Sequence, residues 1–270
     1  MRHLNEIDHP AVREVLRWSS LEKGIEIHHD GDLPARSGLG SSSSFTVGLV
    51  HALEALQGKH IAKGDLAKNA IHIEQNLIKE NVGSQDQISA AFGGFNRIEF
   101  QPGGHAFQIN PVILNENRLL ELQSNLMLYF TGFSRIASEI AASKINNFKY
   151  REKELRLMKA MVDEAMQVLH NDVTPIKEFG KLLHQAWLYK RNLSEKVTTP
   201  EIDALYEAAL DAGAIGGKIL GAGGGGFLLL FVEPELQNQV RLRLQDLIHV
   251  PFLFENSGSR VVLYQPDGLA

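Results

Sequence analysis

Apolar positions recur every three or four residues over most of this chain, and the stretches that break the rhythm are short and rich in glycine. Phe45, Leu49, Leu53 and Leu56 stand four, four and three residues apart, the spacing of one face of an amphipathic helix. The same pattern predicts a helix ending near Trp18, with Val12, Val15 and Leu16 in register, and another over 65–79, lined by Leu66, Ala70, Ile73 and Leu77. Further helices are predicted over 85–92, 134–147, 150–169, 176–193 and 201–210, with a final long helix through Val240, Leu244 and Leu247. Alternating or continuous apolar runs predict strands at 24–28, 95–100, 106–109, 126–130, 227–232 and 261–264. Composition shifts across 110–119, which sets a boundary between domains at 1–115 and 116–270, without internal repeats. Strands and helices mixed in this order favour an α+β protein of two domains.

Bulk properties narrow the function. The 270 residues suffice for one large domain or two modest ones. A net charge of −5 and a pI near 6.1 imply no strongly basic face, which argues against nucleic acid. With no cysteine, disulfides and thiolate metal sites are excluded, in keeping with a reducing cytosol. Residues 1–10 are polar, unlike a signal peptide, and the longest apolar run, 227–232, is too short to cross a bilayer. The expectation is a soluble cytoplasmic protein.

The most informative stretch runs Pro34, Ala35, Arg36, Ser37, Gly38, Leu39, Gly40, Ser41, Ser42, Ser43, Ser44, directly before the first amphipathic helix. Glycines allow close backbone approach to a ligand, and a helix N-terminus with free amides attracts anions. Hydroxyls just after the glycines suit a phosphate or a Mg²⁺ ion. A capped helix after a flexible turn is the simpler alternative, but a cap needs one serine and four are present. No Lys-Ser or Lys-Thr follows the glycines, so this is not a Walker loop, and the dinucleotide fingerprint lacks its third glycine.

Residues 34–43 resemble the phosphate-binding motif of the galactokinase–homoserine kinase–mevalonate kinase–phosphomevalonate kinase (GHMP) superfamily, Pro-x-x-x-Gly-Leu-Gly-Ser-Ser-Ala, with Ser43 in place of the alanine. The resemblance implies ATP binding by Pro34, Arg36, Ser37, Gly38, Leu39, Gly40, Ser41, Ser42 and Ser43. It also implies a two-domain fold, with a ribosomal protein S5 domain 2-like N-terminal domain and a ferredoxin-like C-terminal domain.

A second glycine run, 221–226, leads into a strand and therefore is not a Rossmann turn. Its entropic cost suggests close backbone approach to something. It resembles a C-terminal GHMP motif near the active site, which implies substrate contacts from Gly223, Gly224 and Gly225. Between the two runs lie Glu74 on a predicted helix and Asp86 after a break. A solvated glutamate and a helix-capping aspartate are the ordinary readings. Residues 83–87 resemble the galactokinase-type Gly-x-x-Asp-Gln segment, which implies Asp86 as the catalytic base, Gly83 and Ser84 as substrate contacts, and Glu74 with Ser42 as Mg²⁺ ligands.

Residues 32–44, 80–87 and 130–135 together resemble the heptose phosphate kinases of that superfamily, which phosphorylate an anomeric hydroxyl. Arg135, after a Thr-Gly turn, is a candidate for the substrate's phosphate. The expected cofactors are ATP and Mg²⁺. The expected partner is a small-molecule sugar phosphate, not nucleic acid or membrane, with a homodimer as the oligomeric expectation. Alternatives are a kinase of the fucose or galactose type, or an inactive nucleotide-binding remnant. The family's usual N-terminal strand and loop has no counterpart here, so the first domain is expected to lack strands and part of the sugar pocket. His28, His29, Asp30 and Asp32 read as a polar strand end rather than a metal site, and Trp187 and Tyr189 as packing.

Overall fold

The computed structural model describes residues 3–21, 24–33, 37–103, 106–132 and 137–265. It is α+β and divides into two compact units. Unit 1 comprises residues 1–35, 40–112 and 254–270, and unit 2 comprises 36–39 and 113–253. The change of unit at 112/113 lies within the composition shift. The chain also crosses at two places that no local pattern marks, the glycine loop at 36–39 and the C-terminal segment from 254 onward.

In unit 1, α1 (Pro10–Ser19) starts at a proline in the first turn, with His9 accepting from the Val12 amide at 3.4 Å. It is followed by α2 (Ser41–Leu56) and α3 (Lys63–His72). The last of these widens into a π-helical turn, Ile73–Leu77, in which the Ile78 amide donates to the Ile73 carbonyl at 2.8 Å. Then come α4 (Gln85–Phe92) and an antiparallel pair, β1 (Asn96–Phe100) and β2 (Phe107–Pro111), with Ile98 opposite Ile109. Val15, Val47, Val50, Leu66, Ile73 and Ile88 are fully buried and join the helices in one core. The C-terminal segment returns to α4: Ser259 donates its amide to the Ala90 carbonyl at 2.8 Å, and Gly94 donates to the Glu255 carbonyl at 2.9 Å.

Two expected strands do not form. Residues 24–28, which alternate, and 261–264, a continuous apolar run, are not in ladders. Alternation describes a half-buried extended chain, but a strand also needs a bonded neighbour. Among the described residues, unit 1 pairs only β1 with β2.

Unit 2 contains α5 (Glu116–Ser124), β3 (Leu126–Phe130), α6 (Ala137–Asn147), α7 (Glu152–His170), α8 (Lys177–Arg191), α9 (Pro200–Asp211), β4 (Gly216–Ile219), β5 (Phe227–Phe231), α10 (Gln237–Arg243) and β6 (Ile248–His249). The sheet order is β4-β5-β3-β6, all antiparallel. Trp187, Tyr129, Tyr206, Ile219, Leu228 and Leu230 fill the core, so Trp187 packs as expected. Helix α8 lies so close to β4 that a Cβ on Gly216 would stand 2.2 Å from the Gly180 carbonyl oxygen. The final helix is short: α10 ends at Arg243 and the chain turns through Leu247, whose amide donates to the Leu244 carbonyl at 2.9 Å. No helix among the described residues is long and apolar enough to cross a membrane.

Candidate active site

Helix α2 begins without a side-chain cap. Gly40 occupies the N-cap position with φ 71°, and none of the following serines turns back to bond the first amides. Those amides therefore keep their hydrogen-bonding capacity at the positive end of a 16-residue helix. The serine run is better suited to a ligand than to capping.

Asp86 stands directly over this helix start. A Cβ on Gly40 would meet the Asp86 Cβ at 3.0 Å, its Cγ at 3.1 Å and its Oδ2 at 3.3 Å. Gly40 is thus required twice, for its left-handed backbone and for the space the aspartate takes. The Asp86 side chain is exposed, and partial desolvation raises its carboxyl above the ordinary value of 3.8. The preceding turn is pinned by Gln75, whose Nε2 donates to the Val82 carbonyl at 3.0 Å and to the Ser84 hydroxyl at 3.2 Å. Ser84 accepts that bond with its O–H still able to donate, and Gly83 is exposed with open space around its Cα.

Glu74 lies on the π-helical turn and is 1% exposed. Ser43 donates its hydroxyl to Glu74 Oε2 at 2.9 Å, and Gln87 Nε2 donates to the same oxygen. Burial pushes the Glu74 carboxyl above its ordinary value of 4.5, against the downward pull of Thr46, Ser43 and Gln87. The resemblance pairs Glu74 with Ser42, but the hydroxyl that meets it is that of Ser43, one residue along, while Ser42 is exposed. Successive residues on a helix are about 100° apart, so the two serines cannot face the same way.

The other Glu74 oxygen, Oε1, is buried with no hydrogen-bond partner among the described residues. A buried carboxylate oxygen with nothing to bond is costly, and a carboxylate beside hydroxyls is the donor set that Mg²⁺ takes. Among the described residues there is no cluster of three or more His, Asp or Glu able to hold a metal. His28 pairs with Glu26 at 2.9 Å and His29 packs edge-on to Phe45.

The raised Glu74 pKa sets a pH dependence of stability. The folded chain holds this proton more tightly than the unfolded chain, so its contribution falls as pH rises from the ordinary carboxylate value through the raised one. Glu74→Gln cannot ionise. The difference in melting temperature between wild type and variant is expected to shift in the variant's favour as pH rises from the ordinary carboxylate value upward. Parallel curves would remove Glu74 as the source.

On unit 2 the two glycine runs meet each other. A Cβ on Gly221 would stand 2.7 Å from the Gly38 carbonyl oxygen, and one on Gly226 would stand 2.0 Å from that of Ser37. Gly223 is pressed on Val197, and the Gly224 amide donates to the Val197 carbonyl at 2.8 Å. The close approach expected of residues 221–226 is therefore backbone on backbone. It fixes Ser37 and Gly38, with Leu39 following, and it occupies Gly223 and Gly224 in packing. Gly225, at φ 145°, continues the same turn. The motif 37–44 is divided by the chain itself: 37–39 pack with unit 2 and 40–44 with unit 1. Pro34, Arg36 and Arg135 lie outside the described residues.

Sequence reasoning missed Gln75, Gln87 and the lysines of unit 2. Lys190, three residues past Trp187 on the apolar side of α8, is 7% exposed and donates to the carbonyls of Ile219 and Gly221, both at 2.8 Å. Its only sequence signal was a cation in register with core positions.

Comparison with known proteins bears on this geometry. The model of the GHMP kinases N terminal domain matches residues 7–94, and that of the GHMP kinases C terminal matches residues 164–249. The chain is 35% identical over 213 residues to the D-glycero-alpha-D-manno-heptose 7-phosphate kinase of Campylobacter jejuni, covering 78% of this chain and 62% of that protein. It is 26% identical to the mevalonate kinase of Thermococcus sibiricus, covering 85% of this chain and 66% of that one. The crystal structure of a D-glycero-D-manno-heptose 1-phosphate kinase from Bacteroides thetaiotaomicron superposes with a TM-score of 0.67 at 27% identity, over 93% of this chain and 74% of that one. The chain thus spans about three fifths of the Campylobacter protein's length.

Proposed function

The chain belongs to the GHMP kinases, and from that membership we propose that it transfers the terminal phosphoryl group of ATP to the anomeric hydroxyl of a heptose 7-phosphate. The observation that carries this reading is the Asp86 carboxylate held against Gly40 at the uncapped start of α2. Phosphoryl transfer needs donors for the phosphate oxygens and a group that orients the attacking hydroxyl. The free amides of the first turn of α2 supply the donors. Asp86 accepts the proton of the acceptor hydroxyl, and its upward-shifted pKa brings it nearer to the working pH of a base. Glu74, with the Ser43 hydroxyl that bonds it, would hold Mg²⁺, which when bound neutralises phosphate charge. The buried bonds from Ser43 and Gln87 fix Glu74 so that its unbonded oxygen keeps one position.

The choice of acceptor rests on the likeness to the Campylobacter heptose kinase. A coupled ADP-release assay tests it on the 270-residue chain, with Mg²⁺-ATP and D-glycero-D-manno-heptose 7-phosphate beside galactose, fucose and buffer. ADP release that depends on the heptose 7-phosphate is expected. Release with fucose or galactose alone would move the acceptor to another sugar. Release with none of them would overturn the catalytic reading of this chain.

A further inference from the structure

Three lysines converge in unit 2, at the end of α8. Lys190 donates to the carbonyls of Ile219 and Gly221, at the end of β4. Lys218 lies on β4 itself. Side chains alternate along a strand, so Lys218 shares a face with Gly216, and that face is pressed on α8: a Cβ on Gly216 would stand 2.8 Å from the His184 Cβ. Lys218 therefore projects towards α8 two residues nearer to Lys190. Lys144 comes from α6, which is fastened just beyond α8. Ser143 bonds the Ser194 hydroxyl at 2.7 Å, and Asn147 donates to the Leu193 carbonyl at 3.1 Å.

No acid balances this cluster among the described residues. Asp203, on the next helix, is taken by Arg191 at 2.9 Å and by the Thr198 hydroxyl at 2.7 Å. Lys190 bonds only to carbonyls, and neither Lys144 nor Lys218 has an ion pair among the described residues. Burial holds all three ammonium groups below their ordinary value. Lys190 is lowered further by the charges of Lys218 and Lys144, and Lys144 by that of Lys218. Packing three like charges together without a counter-ion is unfavourable, and an anion entering the cluster would reverse that.

We propose that Lys144, Lys190 and Lys218 form a phosphate-binding site beside the second glycine run. The ligand chemistry is a phosphate dianion, carried either by the nucleotide or by the phosphorylated acceptor. Three ammonium groups from three elements offer point charges to several oxygens at once, and Lys190 has one N–H left after its two carbonyl bonds. The two carbonyl bonds also make Lys190 a support for the loop, so the test uses the other two lysines.

Titration calorimetry on the full chain, with Lys144→Met, Lys218→Met and Lys218→Arg, tests the site using inorganic phosphate, a non-hydrolysable ATP analogue and D-glycero-D-manno-heptose 7-phosphate. Phosphate affinity is expected to fall about tenfold or more in each methionine variant and to be largely kept in Lys218→Arg. A parallel loss for the heptose 7-phosphate alone places the acceptor's phosphate there, and a loss for the ATP analogue alone places the nucleotide's. Wild-type affinity for all three ligands in both methionine variants, at unchanged melting temperature, would overturn the site. The inorganic phosphate arm does not depend on turnover or on the acceptor's identity. A loss there with no heptose binding by wild type would keep the site while removing the proposed substrate.

Discussion

Asp86→Asn is expected to lower turnover by about 10²- to 10⁴-fold, the usual contribution of a positioned general base, while leaving the fold and nucleotide affinity near wild type. Asparagine keeps the shape that Gly40 accommodates. The contact distances of 3.0 and 3.1 Å fall at Cβ and Cγ, which the substitution does not move. It removes the ability to take a proton from the acceptor. Asp86 carries no hydrogen bond among the described residues, and its carboxyl already bears a desolvation cost, so neutralising it should not weaken the fold. Single-turnover ADP formation, beside equilibrium binding of an ATP analogue, separates the two effects. Wild-type turnover in Asp86→Asn would remove Asp86 from the chemistry. A loss of nucleotide binding equal to the loss of rate would make it a structural support of the α2 N-terminus instead.

The elements that carry this candidate site were legible in the sequence because they are local. The glycine-serine run precedes a helix whose apolar face can be counted from Phe45 to Leu56, and α2 forms there. Asp86 falls in the first turn of α4, whose bounds the periodicity also gives. Details that depend on helix phase were not legible. Which serine meets Glu74 is decided by a rotation of about 100° per residue and by the π-helical turn at 73–77, which has no compositional mark. Strand β4 was hidden because Gly216 and Gly217 argue against a strand in any local reading. Only the approach of α8 and of Leu229 on β5 shows why no side chain fits at either position. The return of residues 254–265 to α4, and the meeting of the two glycine runs, join positions distant in sequence and carry no periodicity.

The meeting of the glycine runs yields the largest expected stability effect. Gly226→Ala places a methyl group 2.0 Å from the Ser37 carbonyl oxygen, at a φ of 91° that an L side chain rarely adopts. The backbone at this point cannot readily give way. The Gly226 carbonyl accepts from both the amide and the hydroxyl of Thr131, each at 2.9 Å, and Phe227, which opens β5, is fully buried. Backbone strain of about 1–3 kcal/mol adds to an overpacking cost of about 1–3 kcal/mol, so unfolding should become easier by roughly 2–6 kcal/mol. Gly58→Ala is the matched control. Its φ is 71°, but nothing lies within 4 Å of the added methyl, so it should show the backbone cost alone, about 1–2 kcal/mol. Urea unfolding of both variants, followed by far-ultraviolet circular dichroism of the whole chain, isolates the steric part as their difference. A midpoint for Gly226→Ala no lower than that of Gly58→Ala would mean that residues 37 and 226 do not press on each other. The second glycine run would then need a reason other than packing against the first.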